Sequence, residues 1–308
     1  MIFWKKLVVN WFGRGEILQL DGIDLWYESF GEKSNPCLLL IMGGCCQGIL
    51  WPDLFCEKLT SLGFFVVRFD ARDTGYSSYF DYKKNPYTLL DMAKDAVLLL
   101  DYLKIEKAHL MGTSMGGAVA QILAVHFPFK LLSLILMATS VDFRNVVNAI
   151  QSKELGGLPL PDPSKECLEW IKSFSVNHPH LTCLQKIKKQ QEGWKMLNGP
   201  KASFDGKYYK KMMIKTVLRQ RSYQSFLNHV CAISSSVDIL LDTMGKIQVP
   251  VLVIQGKEDP VFPKEHGEFL ANNLPYGQLF LVEKMGHNLN SCFYDVIIEK
   301  INSFLKGK

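Results

Sequence analysis

No uninterrupted apolar run in this 308-residue chain approaches the roughly 20 residues that a bilayer-spanning helix requires. A repeat of fixed period is also missing. The 23 glycines and 13 prolines are scattered as punctuation, which excludes collagen-like, coiled-coil and tandem-repeat architectures. Charge of one sign is scarce: 35 Lys and Arg against 30 Asp and Glu leave +5, too little to imply nucleic acid. The eight cysteines, at 37, 45, 46, 56, 167, 183, 231 and 292, contain no CxxC pair. Their spacing fits neither a disulfide framework nor a zinc site, so the expectation is reduced thiols in a cytoplasmic compartment, with no metal and no cofactor. The opening MIFWKKLVVNWFGRGE has no small-residue cleavage site and reads poorly as a secretory signal. Trp4, Trp11 and Phe12, beside Lys5, Lys6 and Arg14, read as a lead-in packed on the body, with membrane-surface contact as the alternative.

What is present is an ordinary globular balance, 48% hydrophobic and 21% charged, which excludes disorder over most of the chain. Short apolar runs alternate with helical periodicity. ILQL and IDLWYESFG, joined by Asp21-Gly22, read as a hairpin. CLLLIM (37–42), FFVVRFD (64–70), AHLMGTS (108–114), LLSLILMATS (131–140), VPVLVIQG (249–256) and QLFLVEK (278–284) read as buried strands. Helices are expected at 51–63, with Leu54, Phe55, Leu59 and Leu62 inward, and at 88–105, capped by Thr88 with Asp91. Others follow at 116–128, 263–274 and 292–306. This alternation predicts an α/β protein with a mostly parallel central sheet of about eight strands and helices on both faces.

One stretch breaks the pattern. Residues 141–246 lack buried-strand runs, and from Gln185 to Arg221 eleven basic residues stand against two acids. About 100 residues are too many for a connection, so a helical subdomain is expected there, with 1–140 and 247–308 forming the core domain. Its basic stretch reads as a solvated face, with attraction to anionic substrates or an anionic membrane as the alternative. Trp170, Trp194, Tyr208, Tyr209, Tyr223 and Phe226, with Met196, Met212 and Met213, fit either an apolar pocket or the subdomain's own core.

The chemistry begins at Gly112-Thr113-Ser114-Met115-Gly116, a G-x-S-x-G pentapeptide between a strand and a helix. A sharp turn there would lift the serine hydroxyl clear of the sheet, at a helix N-terminus that favours negative charge. A serine needs a base. Among the histidines, His287 in Met285-Gly286-His287 follows the last strand. His126, His178, His180, His229 and His266 fall on helices or in the insertion. The base needs an orienting carboxylate, and Asp259 directly follows the strand at 249–256, ahead of Glu258 and Asp142 as alternatives. The order Ser114, Asp259, His287 suits hydrolytic triads. Oxyanion donors are expected from the Met115 N–H and from Gly44, in Met42-Gly43-Gly44-Cys45-Cys46; a plain tight turn at Gly43-Gly44 is the alternative. Cys45 and Cys46 would border the pocket without acting as nucleophiles.

IMGGCCQGILWPDLFCEKLTSLGFFVVRFDARDTGYSS (41–78), HLMGTSMGGAVAQ (109–121), VLVIQGKEDPVFP (251–263) and MGHNLN (285–290) resemble the α/β-hydrolase superfamily. They resemble more closely its serine esterase branch, which includes aclacinomycin methylesterase. The resemblance puts the family's triad on Ser114, Asp259 and His287, makes 70–77 a brace rather than a catalytic element, and makes the insertion a cap that determines substrate. Met42 departs from the histidine that many relatives carry there. The expected activity is hydrolysis of a small or medium apolar carboxylic ester, with a methyl ester among the candidates. A C–C bond, a lipid acyl ester, or a non-catalytic binding role are the competing readings. A serine in the elbow argues against dehalogenase and epoxide hydrolase chemistry, which would place aspartate there.

Overall fold

The computed structural model describes residues 14–20, 22–151, 156–177, 180–222 and 225–306. Trp4, Trp11, Phe12, His178 and Tyr223 lie outside them. The strands are β1 (Glu16–Leu20), β2 (Ile23–Phe30), β3 (Cys37–Ile41), β4 (Phe65–Phe69), β5 (Ala108–Thr113), β6 (Leu131–Met137), β7 (Val251–Gly256) and β8 (Gly277–Val282). They form one eight-stranded sheet in the order β1-β2-β4-β3-β5-β6-β7-β8. β1 and β2 form an antiparallel hairpin in which Leu20 faces Ile23 across the turn, and β2 meets β4 antiparallel. Every other pairing is parallel.

Residue choice explains the layering. Every residue of β3, β4, β5 and β7 is buried, as expected of parallel strands covered on both faces. Successive side chains point to opposite faces. Leu38 and Leu40 pack on the side covered by α1 (Asp53–Thr60) and α11 (Tyr294–Leu305). Leu39 and Ile41 pack on the side of α2 (Leu89–Tyr102), α3 (Met115–His126) and α10 (Lys264–Asn272). Thr88 and Asp91 form the expected capping box at the start of α2. In α1 the buried face is Phe55, Cys56 and Leu59. Leu54, expected inside, is 52% exposed, because neighbours at i and i+1 diverge by about 100° around a helix.

The chain leaves β3 by α1 on one face and leaves β4 by α2 on the other, so the winding reverses between β3 and β5, which are neighbours. Ligand sites of open α/β sheets lie at the carboxyl ends of the strands flanking such a reversal. The loop carrying Gly43-Gly44 and the turn carrying Ser114 leave from those two ends.

Between β6 and β7 the described residues contain helices and no strand. They are α4 (Arg144–Gln151), α5 (Lys165–Asn177), α6 (Cys183–Leu197), α7 (Gly206–Arg219), α8 (Ser225–Ser234) and α9 (Val237–Leu241). Of the basic stretch, Arg219 is buried on Asp70, Lys201 pairs with Glu258, and Lys195, Lys207, Lys210 and Lys211 are exposed. No helix among the described residues is long and apolar enough to cross a membrane.

Candidate active site

Steric necessity shapes the turn at Ser114. A Cβ on Gly116 would lie 2.3 Å from the Ile41 carbonyl oxygen and 2.6 Å from that of Met42, and one on Gly112 would lie 2.3 Å from the Gly116 oxygen. Those approaches seat the start of α3 directly against the end of β3. Ser114 itself sits at φ 52°, ψ −125°, a conformation L-residues seldom adopt and that surrounding structure must hold in place. Four contacts do so: the Ser114 N–H donates to Met137 O (3.0 Å), while its carbonyl accepts from Gly117 N–H (2.9 Å), Ala118 N–H (3.2 Å) and the Thr139 hydroxyl (2.7 Å).

The structure brings Asp259 and His287 side by side. His287 Nδ1 lies 2.9 Å from Asp259 Oδ2 and 3.1 Å from Oδ1. The Asp259 side chain has no exposed surface and also accepts from Val261 N–H (2.8 Å), Phe262 N–H (2.9 Å) and Gln255 Nε2 (3.0 Å). Its geometry is therefore dictated from several directions. The His287 backbone N–H donates to Leu197 O at the end of α6 (2.7 Å), and neighbouring Asn288 donates to Trp194 O and the Tyr209 hydroxyl. The loop bearing His287 is thus docked on the insertion.

The alternative carboxylates are engaged elsewhere. Glu258 pairs with Lys201 at 2.6 Å. Asp142 pairs with Arg144 and accepts from Leu158 N–H; burial opposes its ionised form, yet these partners hold its carboxyl below the usual range. Among the other histidines, His126 and His180 are exposed. His266 is buried between Ser140 Oγ and Pro161 O.

Ser114, Met115, His287, Gly43 and Gly44 all line one cavity of about 270 Å³. A Cβ on Gly43 would lie 3.2 Å from Ser114 Cβ, and one on Gly44 would lie 3.6 Å from Met115 Cβ, so both glycines face the elbow. The tight turn weighed as an alternative is also present, since Cys46 N–H donates to Gly43 O (3.2 Å). Cys45 and Cys46 border the cavity; burial pushes the Cys46 thiol up to about 12 and raises that of Cys45, so neither is a thiolate at neutral pH.

The far wall comes from the insertion. Trp170, Trp194, Tyr208, Tyr209, Met212 and Met213 line the cavity. Met212, Met213, Trp194 and Tyr208 also pack with Trp26 and Ile49, so these residues serve as pocket wall and internal core together. Met196 packs on the main core instead. Polar residues to which the sequence reading gave no role at the site also line it: His229, set aside there as a base, with Asp73 and Gln47, and each bonds across between the insertion and the loops of the sheet. No spacing rule marks them, because each finds its partner more than 150 residues away.

The alpha/beta hydrolase fold family matches residues 36–291. The chain is 33% identical to rhodomycin D methylesterase DauP of Streptomyces sp. (strain C5) over 272 residues, covering 87% of this chain and 90% of the relative. It is 32% identical to rhodomycin D methylesterase DnrP of Streptomyces peucetius over 276 residues, 87% of this chain and 90% of that one. Among solved structures, a hydrolase from Pseudomonas aeruginosa PA01 superimposes with TM-score 0.68 at 27% identity, covering 96% of this chain and 99% of that one. The chain belongs to the α/β-hydrolase fold family.

Proposed function

We propose that this protein is a serine hydrolase of carboxylic esters, with Ser114 as nucleophile, His287 as general base and Asp259 as its orienting carboxylate. The observation that carries the reading is the Asp259–His287 pair, at 2.9 Å, opening on the same cavity as the strained Ser114 turn. His287 Nε2 takes the hydroxyl proton as Ser114 Oγ attacks the acyl carbon. The Gly44 and Met115 N–H groups receive the oxyanion. Collapse of the tetrahedral intermediate breaks the C–O bond, and the alcohol leaves with the proton from His287. Water, deprotonated by the same imidazole, then attacks the acyl-enzyme and frees Ser114. Asp259 fixes the imidazole with Nδ1–H toward itself, which leaves Nε2 free to take the serine proton.

A methyl ester on an apolar, ring-containing acid is the substrate class we infer. The Streptomyces relatives are named methylesterases, and the cavity wall is aromatic and thioether-rich. In this reading residues 141–246 act as a cap over the site. Eight unpaired thiols suit a reducing, cytoplasmic setting. Fluorophosphonate labelling followed by peptide mass spectrometry tests the nucleophile, and a panel of methyl esters, a vinylogous diketone and a phospholipid tests the bond. Labelling at Ser114 with methyl ester turnover supports the proposal. Labelling with turnover of the diketone or the phospholipid alone replaces the ester assignment, and no labelling removes it.

A further inference from the structure

The loop after β3 is held from the insertion as well as by its own strand. Cys45 N–H donates to His229 Nδ1 at 2.8 Å, from α8. Gln47 Oε1 accepts from Arg219 Nε at 2.9 Å, and Gln47 Nε2 donates to Thr216 O at 2.8 Å, both from α7. Gly44 lies inside this grip. Its neighbour Cys45 has φ 63°, the left-handed region that a residue with a side chain enters only when its surroundings compel it.

Partner chemistry fixes the His229 tautomer. A backbone N–H only donates, so Nδ1 is the acceptor. A carbonyl only accepts, so the Nε2–H donates to Arg72 O at 2.9 Å. Burial lowers the pKa of this ring, so the neutral form that can make both bonds is the one present. The adjacent Asn228 donates to Asp73 Oδ2 and Phe80 O, both at 3.0 Å, which anchors the same stretch of α8 to the turn after β4.

We propose that His229 is a positioning residue for the oxyanion donor: by accepting the Cys45 N–H it sets the Gly44–Cys45 peptide, and with it the orientation of Gly44, whenever the cap is docked. The Cys45 N–H and the Gly44 carbonyl are opposite ends of one planar trans peptide. Pinning the N–H toward His229 holds the carbonyl the other way and restricts the residue with the widest conformational choice. Cap and catalytic loop are then one unit, and a cap that lifts takes the oxyanion donor out of register. This inference rests on the serine esterase reading and extends it to how the site is assembled.

Steady-state kinetics of wild type, His229→Gln and His229→Leu on a soluble ester test it, with thermal melting in parallel. Gln offers a carbonyl acceptor and an amide donor, whereas Leu fills space and offers neither. Losing an oxyanion donor costs on the order of 10²–10³ in rate, and misplacing one costs part of that. The expected result is a kcat about 10- to 100-fold lower in His229→Leu, with KM within about twofold, and His229→Gln within about threefold of wild type. A folded His229→Leu enzyme with wild-type kcat would overturn the proposal. So would a folded His229→Gln enzyme with a kcat loss of tenfold or more, which decides the matter even where the Leu variant does not fold. If wild type hydrolyses no ester, the esterase reading fails by itself. The same comparison is then made on the rate of fluorophosphonate labelling of Ser114, since phosphonylation also places charge on an oxygen in the hole.

Discussion

Arg219 and Asp70 form an ion pair at 2.6 Å in which neither side chain has any exposed surface, joining α7 of the insertion to the end of β4. Asp70 also accepts from Gly48 N–H (2.7 Å) and Tyr76 N–H (2.9 Å), while the guanidinium lies over Trp26 (4.2 Å) and Tyr76 (4.1 Å). Removing one partner of such a pair strands the other charge without water. Arg219→Met is therefore expected to lower unfolding stability by about 3–5 kcal/mol, measured by urea denaturation. Arg219→Lys should recover only part, because one ammonium cannot reproduce the planar fork that meets Asp70 and Gln47 together.

The elbow glycines give a steric prediction. Gly116→Ala would place a methyl 2.3 Å from the Ile41 carbonyl oxygen, a backbone atom, with no flexible side chain to yield. Loss of ester turnover below detection and a melting temperature lower by at least several degrees are expected. Gly156→Ala is the control, since nothing lies within 4 Å of a Cβ there, and it should leave both quantities near wild type.

Asp259 receives only donors: two backbone N–H groups, Gln255 Nε2 and His287 Nδ1. In Asp259→Asn one acceptor oxygen becomes an NH₂ facing those donors, and the imidazole tautomer is no longer held. A kcat lower by about 10³–10⁴ is predicted, with KM little changed, read from steady-state ester kinetics. A kcat within tenfold of wild type would remove Asp259 from the mechanism.

Buried histidines make stability sensitive to acid. Burial lowers His109 to about 4, with Nδ1 2.8 Å from Ser133 Oγ, and His229 and His266 are lowered in the same sense. The unfolded chain binds protons near pH 6.5 while the folded His109 does not, so its contribution is intact above about 6.5 and is lost as pH falls toward 4. At roughly 1.4 kcal/mol per unit the loss amounts to about 3 kcal/mol. His109→Leu should therefore lose less stability than wild type between pH 6.5 and 4, measured by chemical denaturation at each pH.

The sheet and the elbow were legible in the sequence because their signals are local. A run such as CLLLI becomes a strand buried on both faces, and G-x-S-x-G must follow a strand for its glycines to clear Ile41 and Met42. Asp259 and His287 were picked out by their positions just beyond β7 and β8, and the folded chain sets their side chains 2.9 Å apart. The insertion was legible only as helix. His229 and Arg219 sit on amphipathic helices whose pattern does not tell a buried polar contact from an exposed one. Their partners, Cys45, Arg72, Gln47 and Asp70, belong to loops set by the sheet far away in the chain. Leu54 failed for a local reason: helical spacing grouped it with Phe55, Leu59 and Leu62, but it sits about 100° from Phe55 around the helix and faces out.

Initial rates on p-nitrophenyl esters from acetate to palmitate, wild type against Ser114→Ala, decide whether Ser114 is the nucleophile. Measurable wild-type turnover should fall at least about 10³-fold on loss of the Ser114 hydroxyl, with a chain-length optimum set by the cavity that Ser114 lines. Ester turnover that survives Ser114→Ala undiminished would contradict that role.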